Sequence, residues 1–188
     1  MRRTVTGAVL FLAVAGLGLA GCISPPAPAA NEPFSPGLWR TQGGPSCYWE
    51  RVRGDGSIID NDFSTGGPRY AYIGGNDAGF HTRGCITFWR DTPPGINPVP
   101  LATPGQPFGD GDFKVHSEVA PGVYWAQGAS ADGQGGCYWA RLSSFDGASF
   151  NNIIDNVFQS FPQALQVQIF PGDVGFTSDG CGIWFKVG

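Results

Sequence analysis

The residues of this 188-residue chain whose types and spacing could do chemistry are few, and they recur. Asp60 and Asp77 in the first half answer to Asp155 and Asp173 in the second, and Arg51 answers to Arg141. Two carboxylates flanking a cleft can hydrolyse a glycosidic bond, one as acid and the other as base or nucleophile. The same residues suit structure. Asp-Asn and Asp-x-Gly close turns through their own backbone, and either aspartate can pair with its arginine by a charge-assisted hydrogen bond. Structure is the preferred reading and glycan hydrolysis the alternative, so the chain is expected not to be an enzyme. The two histidines, His81 and His116, sit at positions that do not recur. There is no Gly-x-Ser-x-Gly elbow, no His-Glu-x-x-His and no phosphate-binding glycine loop. No Asp-x-Asp-x-Asp run suggests calcium, and the cysteines lack the Cys-x-x-Cys pairs of a zinc site. No cofactor and no metal are expected. A net charge of −4 argues against nucleic acid.

Aromatic residues are the stronger clue to function. Tyr48-Trp49 and Tyr138-Trp139 are neighbours in strand-like runs, so each pair points to opposite faces. Trp49 and Trp139 share a face with Cys47 and Cys137 and belong in the core. Tyr48 and Tyr138 are the outward candidates, able to stack on a sugar ring or meet a partner protein.

What positions these residues is one unit written twice. Pro36-Gly37-Leu38-Trp39 answers to Pro121-Gly122-Val123-Tyr124, Cys47-Tyr48-Trp49-x-Arg51 to Cys137-Tyr138-Trp139-x-Arg141, and Ile58-Ile59-Asp60-Asn61-x-Phe63 to Ile153-Ile154-Asp155-Asn156-x-Phe158. Asp77-x-Gly79-Phe80 answers to Asp173-x-Gly175-Phe176, and Gly84-Cys85 to Gly180-Cys181. Each copy holds two cysteines at matching places, which selects the pairings Cys47–Cys85 and Cys137–Cys181. A bridge over such a loop adds about 4 kcal/mol in the chain-entropy model.

Short apolar and alternating runs separated by Gly, Pro, Asp and Ser predict an all-β fold: two tandem antiparallel sandwiches or barrels, each with one internal disulfide. In copy two the runs predict strands at 113–119, 123–127, 137–142, 153–158, 165–170 and 182–187. Copy one lacks a counterpart of the first of these, so an edge there is either open or covered by the second copy.

The fifth cysteine has another role. Arg2 and Arg3 precede an uncharged apolar run that ends in Leu19-Ala20-Gly21-Cys22. The run is too short to span a bilayer and suits a signal peptide. Its end resembles the bacterial lipobox, which implies cleavage before Cys22, acylation of that cysteine (palmitate among the chains) and a lipid anchor in the cell membrane. The expected organisation is a signal peptide over 1–21, a lipidated cysteine and proline tether over 22–35, copy one over 36–91, a proline-rich spacer over 92–107 and copy two over 108–188.

The order Pro-Gly-x-Tyr, Cys-Tyr-Trp-x-Arg, Ile-Ile-x-Asn, Asp-x-Gly-Phe and Gly-Cys resembles a small secreted domain of actinobacterial envelope proteins and lipoproteins. The resemblance covers nearly all of the chain beyond the signal peptide and carries no catalytic residues with it. It implies an extracytoplasmic protein, anchored by lipid. The expected role is non-catalytic binding of a wall glycan or an envelope protein, with Tyr48, Tyr138, Arg51, Arg141, Asp60, Asp155, Asp77 and Asp173 as candidate binding residues. A structural spacer is the third reading. Arg40, Arg53, Arg69, Arg83 and Arg90 have no basic counterpart in copy two. They are read as solvated, with anionic lipid or wall polymer as an alternative contact.

Overall fold

The computed structural model describes residues 34–86, 88–91, 103–129, 135–146 and 152–187. Cys22, the signal segment, most of the tether and residues 92–102 of the spacer lie outside these. Among the described residues the regular elements are all strands. Copy one contains β1 (Gly37–Thr41), β2 (Cys47–Val52), β3 (Ile58–Ser64), β4 (Arg69–Ile73), β5 (Gly79–Arg83) and β6 (Trp89–Arg90). Copy two contains β7 (Gly111–Lys114), β8 (Gly122–Ala126), β9 (Cys137–Leu142), β10 (Ile153–Gln159), β11 (Leu165–Ile169), β12 (Gly175–Asp179) and β13 (Trp184–Val187).

Every ladder between these strands is antiparallel. Copy one forms sheets of order β4-β1-β6 and β3-β2-β5, and copy two forms β11-β8-β13 and β10-β9-β12-β7. The last six strands of copy two repeat the six of copy one, and β7 is additional. Each copy is therefore a small two-sheet sandwich, as expected from the strand runs.

The alternation of each strand explains its burial. Leu165-Gln166-Val167-Gln168-Ile169 turns Val167 and Ile169 inward and leaves both glutamines exposed. Trp49 and Trp139 are buried, as their spacing from Cys47 and Cys137 predicts. The core of copy two gathers Phe108, Phe113, Tyr124, Trp139, Phe176 and Trp184. That of copy one is smaller, with Trp39, Trp49, Ala71, Ile73 and Phe88 flanked by Phe34 and Phe80. Fully burying one such side chain contributes about 2–3 kcal/mol, so the smaller core leans more on its disulfide. Both predicted bridges are present, Cys47–Cys85 and Cys137–Cys181.

Three expectations need correction. No strand is expected at 175–179, where polar residues interrupt any apolar alternation, yet this segment forms β12 and its repeat counterpart at 79–83 forms β5. Hydrogen bonding to β2 and β9 makes them strands. The run 113–119 is not one strand: β7 ends at Lys114, and His116, at φ 75°, turns the chain so that Val119 returns beside Val115. The run 182–187 becomes a strand only from Trp184. The segment of copy one that would answer to β7 lies outside the described residues. Among the described residues β5 ends its sheet, whereas β12 is covered by β7.

The two copies pack on each other through polar groups. Asp112 donates its N–H to the Pro68 carbonyl at 2.8 Å, and Tyr70 donates its N–H to Asp112 Oδ2 at 2.9 Å. The Tyr70 ring lies 4.7 Å from that of Phe145.

Candidate functional site

The recurring acids and arginines form the same motif in both copies. Arg51 Nε and Nη2 donate to Asp77 at 2.6 and 3.0 Å, and Arg141 Nε and Nη2 donate to Asp173 at 2.8 and 2.9 Å. Each aspartate also closes the turn before its strand, accepting the N–H of Gly74 or of Phe170, both at 2.8 Å. Burial pushes both carboxyls up in pKa, but the arginine and amide hydrogen bonds outweigh it, and the net direction is down. Asp60 and Asp155 stand at 3.8 Å from the same guanidiniums. The structure thus brings each acid pair together around one arginine, which is a fold-building arrangement. The turn and ion-pair roles expected of Asp77 and Asp173 coincide, whereas Asp60 and Asp155, expected to close turns, lie within β3 and β10 because β2 and β9 pair with them.

Tyr48 and Tyr138 are half-buried rather than open. Each stands opposite an exposed phenylalanine on the next strand: Tyr48 faces Phe63 (55% exposed) and Tyr138 faces Phe158 (67%). Tyr48 donates its hydroxyl to Glu50 Oε2 at 2.6 Å, and Glu50 Oε1 lies 3.0 Å from His81 Nδ1. These residues line an open hollow of about 610 Å³ with Phe63 and Arg83. Tyr138 instead lines a cleft of about 460 Å³ between the copies.

The contact between the copies corrects the reading of two of the arginines. Arg40 and Arg69 are not solvated and meet no lipid or polymer; they are 3% and 2% exposed, buried between the copies. Arg40 Nη1 donates to Tyr70 Oη at 3.3 Å and to Glu118 Oε1 at 3.2 Å, and Tyr70 Oη donates to Glu118 Oε2 at 3.0 Å. Lys114 pairs with Asp91 at the margin. Arg69 sits among Asp62, Asp112 and Asp179 at 3.4, 3.3 and 3.2 Å. Burial first, then the charge of Asp112, pushes Asp62 up to about 6, against the pull of Arg69. These groups do not recur between copies, so comparing the copies passes over them.

The corresponding face of copy two is open and chemically different. Register maps Arg40 onto Trp125, Tyr70 onto Gln166, Tyr72 onto Gln168, Leu38 onto Val123 and Asp91 onto Val187. On the outer face of β11-β8-β13, Trp125 stands between Gln166 and Phe185, and Val123 between Gln168 and Val187. Phe185 and Val187 are 43% and 46% exposed, and the Trp125 and Phe185 rings lie 6.1 Å apart. None of these six side chains carries a charge. The sequence holds one signal for this patch: Trp125 follows inward-facing Tyr124, so it must face outward.

A family model described as the Rv1352-like extracellular domain matches residues 30–90 and again residues 105–185, which places the folded copies outside the cytoplasm. No curated protein and no solved structure matches the chain.

Proposed function

The chain belongs to the Rv1352-like extracellular domain family, and from that premise we propose that it is a lipid-anchored envelope protein that binds a neutral wall glycan without catalysis. The observation that carries this reading is the Trp125 face of copy two. Its planar rings can stack on sugar rings, and its glutamine amides can both donate to and accept from hydroxyls. The same face of copy one is occupied by copy two. Copy one then serves as the mount, and the acylated Cys22 with its proline tether holds the pair off the membrane.

Retention of the purified chain on insoluble wall polysaccharide tests the proposal. Trp125→Ala is expected to abolish retention, whereas Phe63→Ala on the opposite copy leaves it unchanged. Equal retention of both variants would overturn the reading. Cys22→Ser is expected to release the protein from membranes, measured by fractionation of intact cells.

A hydrolytic reading rests on the cleft between the copies, where Asp62 is pushed up to about 6 beside other carboxylates. Such a carboxyl could act as an acid. Release of reducing ends from the same polysaccharide, lost in Asp62→Asn, would favour it over binding alone.

A further inference from the structure

The duplication shows what borders β12 and, among the described residues, does not border β5. In copy two, β7 pairs with β12, Gly111 opposite Ser178 and Phe113 opposite Phe176. Asp112 sends its N–H away from β12, to the Pro68 carbonyl. Ladder alternation therefore turns the backbone groups of Gly111 and Phe113 toward β12. The corresponding residues of copy one are Thr82 and Phe80 on β5, where the sheet ends among the described residues. The segment that would replace β7 in the same repeat register carries Pro26 and Pro28 at the places of Gly111 and Phe113. A proline has no N–H, so this segment lacks the two donors that the pairing requires. The family match agrees with this: it starts at residue 105, before β7, in copy two, but only at residue 30 in copy one.

The edge is also selective. His81 and Arg83, both exposed, stand where copy two has Thr177 and Asp179. In copy two Thr177 donates to Asp112 at 2.6 Å, while Asp179 is repelled by Asp110 and Asp112. With Arg83 in place of Asp179, the same acidic strand would be attracted. Below His81, Phe80 packs against Phe34 and Phe88, so a strand that places an aromatic opposite Phe80 would extend the core.

We propose that β5 is a docking edge that takes an extended acidic segment of a partner protein, added as an antiparallel fourth strand with an acid opposite His81 and an apolar side chain opposite Phe80. An unpaired edge supplies backbone hydrogen bonds for affinity and alternate side chains for specificity, and Arg83 repels a strand with a basic side chain opposite it. This surface is distinct from the Trp125 face.

The probe is a labelled synthetic peptide with the sequence of residues 108–116, titrated by fluorescence anisotropy against the full-length purified chain. Saturable binding is expected. Arg83→Glu should raise Kd at least tenfold, and a peptide with lysines at both aspartate positions should recover the loss. Thr82→Pro, which removes an edge donor, should abolish binding; Arg83→Glu with its rescue keeps the test valid if that variant misfolds. No binding, or equal binding to wild type and Arg83→Glu, would overturn the proposal. So would a concentration-dependent dimer that Arg83→Glu dissolves, because a second copy would then occupy the edge.

Discussion

Arg51 and Arg141 each organise a turn and two strands through one buried carboxylate, and this is where single residues matter most for stability. Asp173 is nearly fully enclosed (side chain 2% exposed), whereas Asp155 is open (56%). Asp173→Asn should therefore cost about 3 kcal/mol, as expected when a buried pair loses its charge, against at most about 1 kcal/mol for Asp155→Asn. Urea unfolding of both variants would check the contrast.

The acids also oppose one another in pH. Asp77 and Asp173 titrate below their unfolded values, so their stabilisation is present above the ordinary carboxylate range and is lost as the pH falls through their folded values. Asp62 has the opposite sign. Its value is raised to about 6, so the native chain holds an extra proton once the pH drops below that value. Stability should rise from neutral pH through 6, level off near about 4, the unfolded carboxylate value, and then fall as Asp77 and Asp173 are lost. Its side chain keeps 38% exposure, so solvent damps the size of the rise. Melting temperatures between neutral pH and about 4 should show the rise in wild type and a smaller one in Asp62→Asn, where burial still holds Asp179 above its ordinary value.

At the scale of elements, the loop into each disulfide depends on a glycine. Gly84 and Gly180 have φ of 67° and 68°, and a Cβ at either would lie 2.2 Å from a carbonyl oxygen, of Ser46 or of Gly136. Gly182 has φ of 80° but open space around it. Gly180→Ala should cost about 3 kcal/mol, combining backbone strain with a clash, and Gly182→Ala about 1–2 kcal/mol from the left-handed backbone alone. Chemical denaturation separates the two. The recurrence of Gly-Cys in the sequence was the visible trace of this close approach. β5 and β12 left no such trace. Their residues, such as Thr177-Ser178-Asp179, satisfy no apolar period, and only pairing with strands far away in sequence makes them extended.

For the whole molecule, the contact between copies is the decisive feature. Arg69 ties β4 of copy one to β7 and β12 of copy two through Asp112, Asp179 and the Ser178 carbonyl. Removing it leaves three carboxylates crowded without a cation. Arg69→Ala should cost about 3–5 kcal/mol of coupling, seen in calorimetry as one transition splitting into two. The splitting should narrow near pH 5, where Asp62 takes up a proton.

The duplication, the pairing of four cysteines, the all-β class and the inward tryptophans were all determined by sequence alone. Each follows from local period or from matching positions within one copy. Strand period states on which face a residue lies. It does not state what covers that face. Tertiary structure alone decided that Arg40 and Arg69 are buried between the copies, that Trp125 at the place of Arg40 stays half-exposed, and that among the described residues β5 ends its sheet while β12 is covered by β7. These outcomes depend on which of two nearly identical faces meets the other copy, and that choice is made by charged groups such as Glu118 and Asp112, which have no counterpart in the repeat.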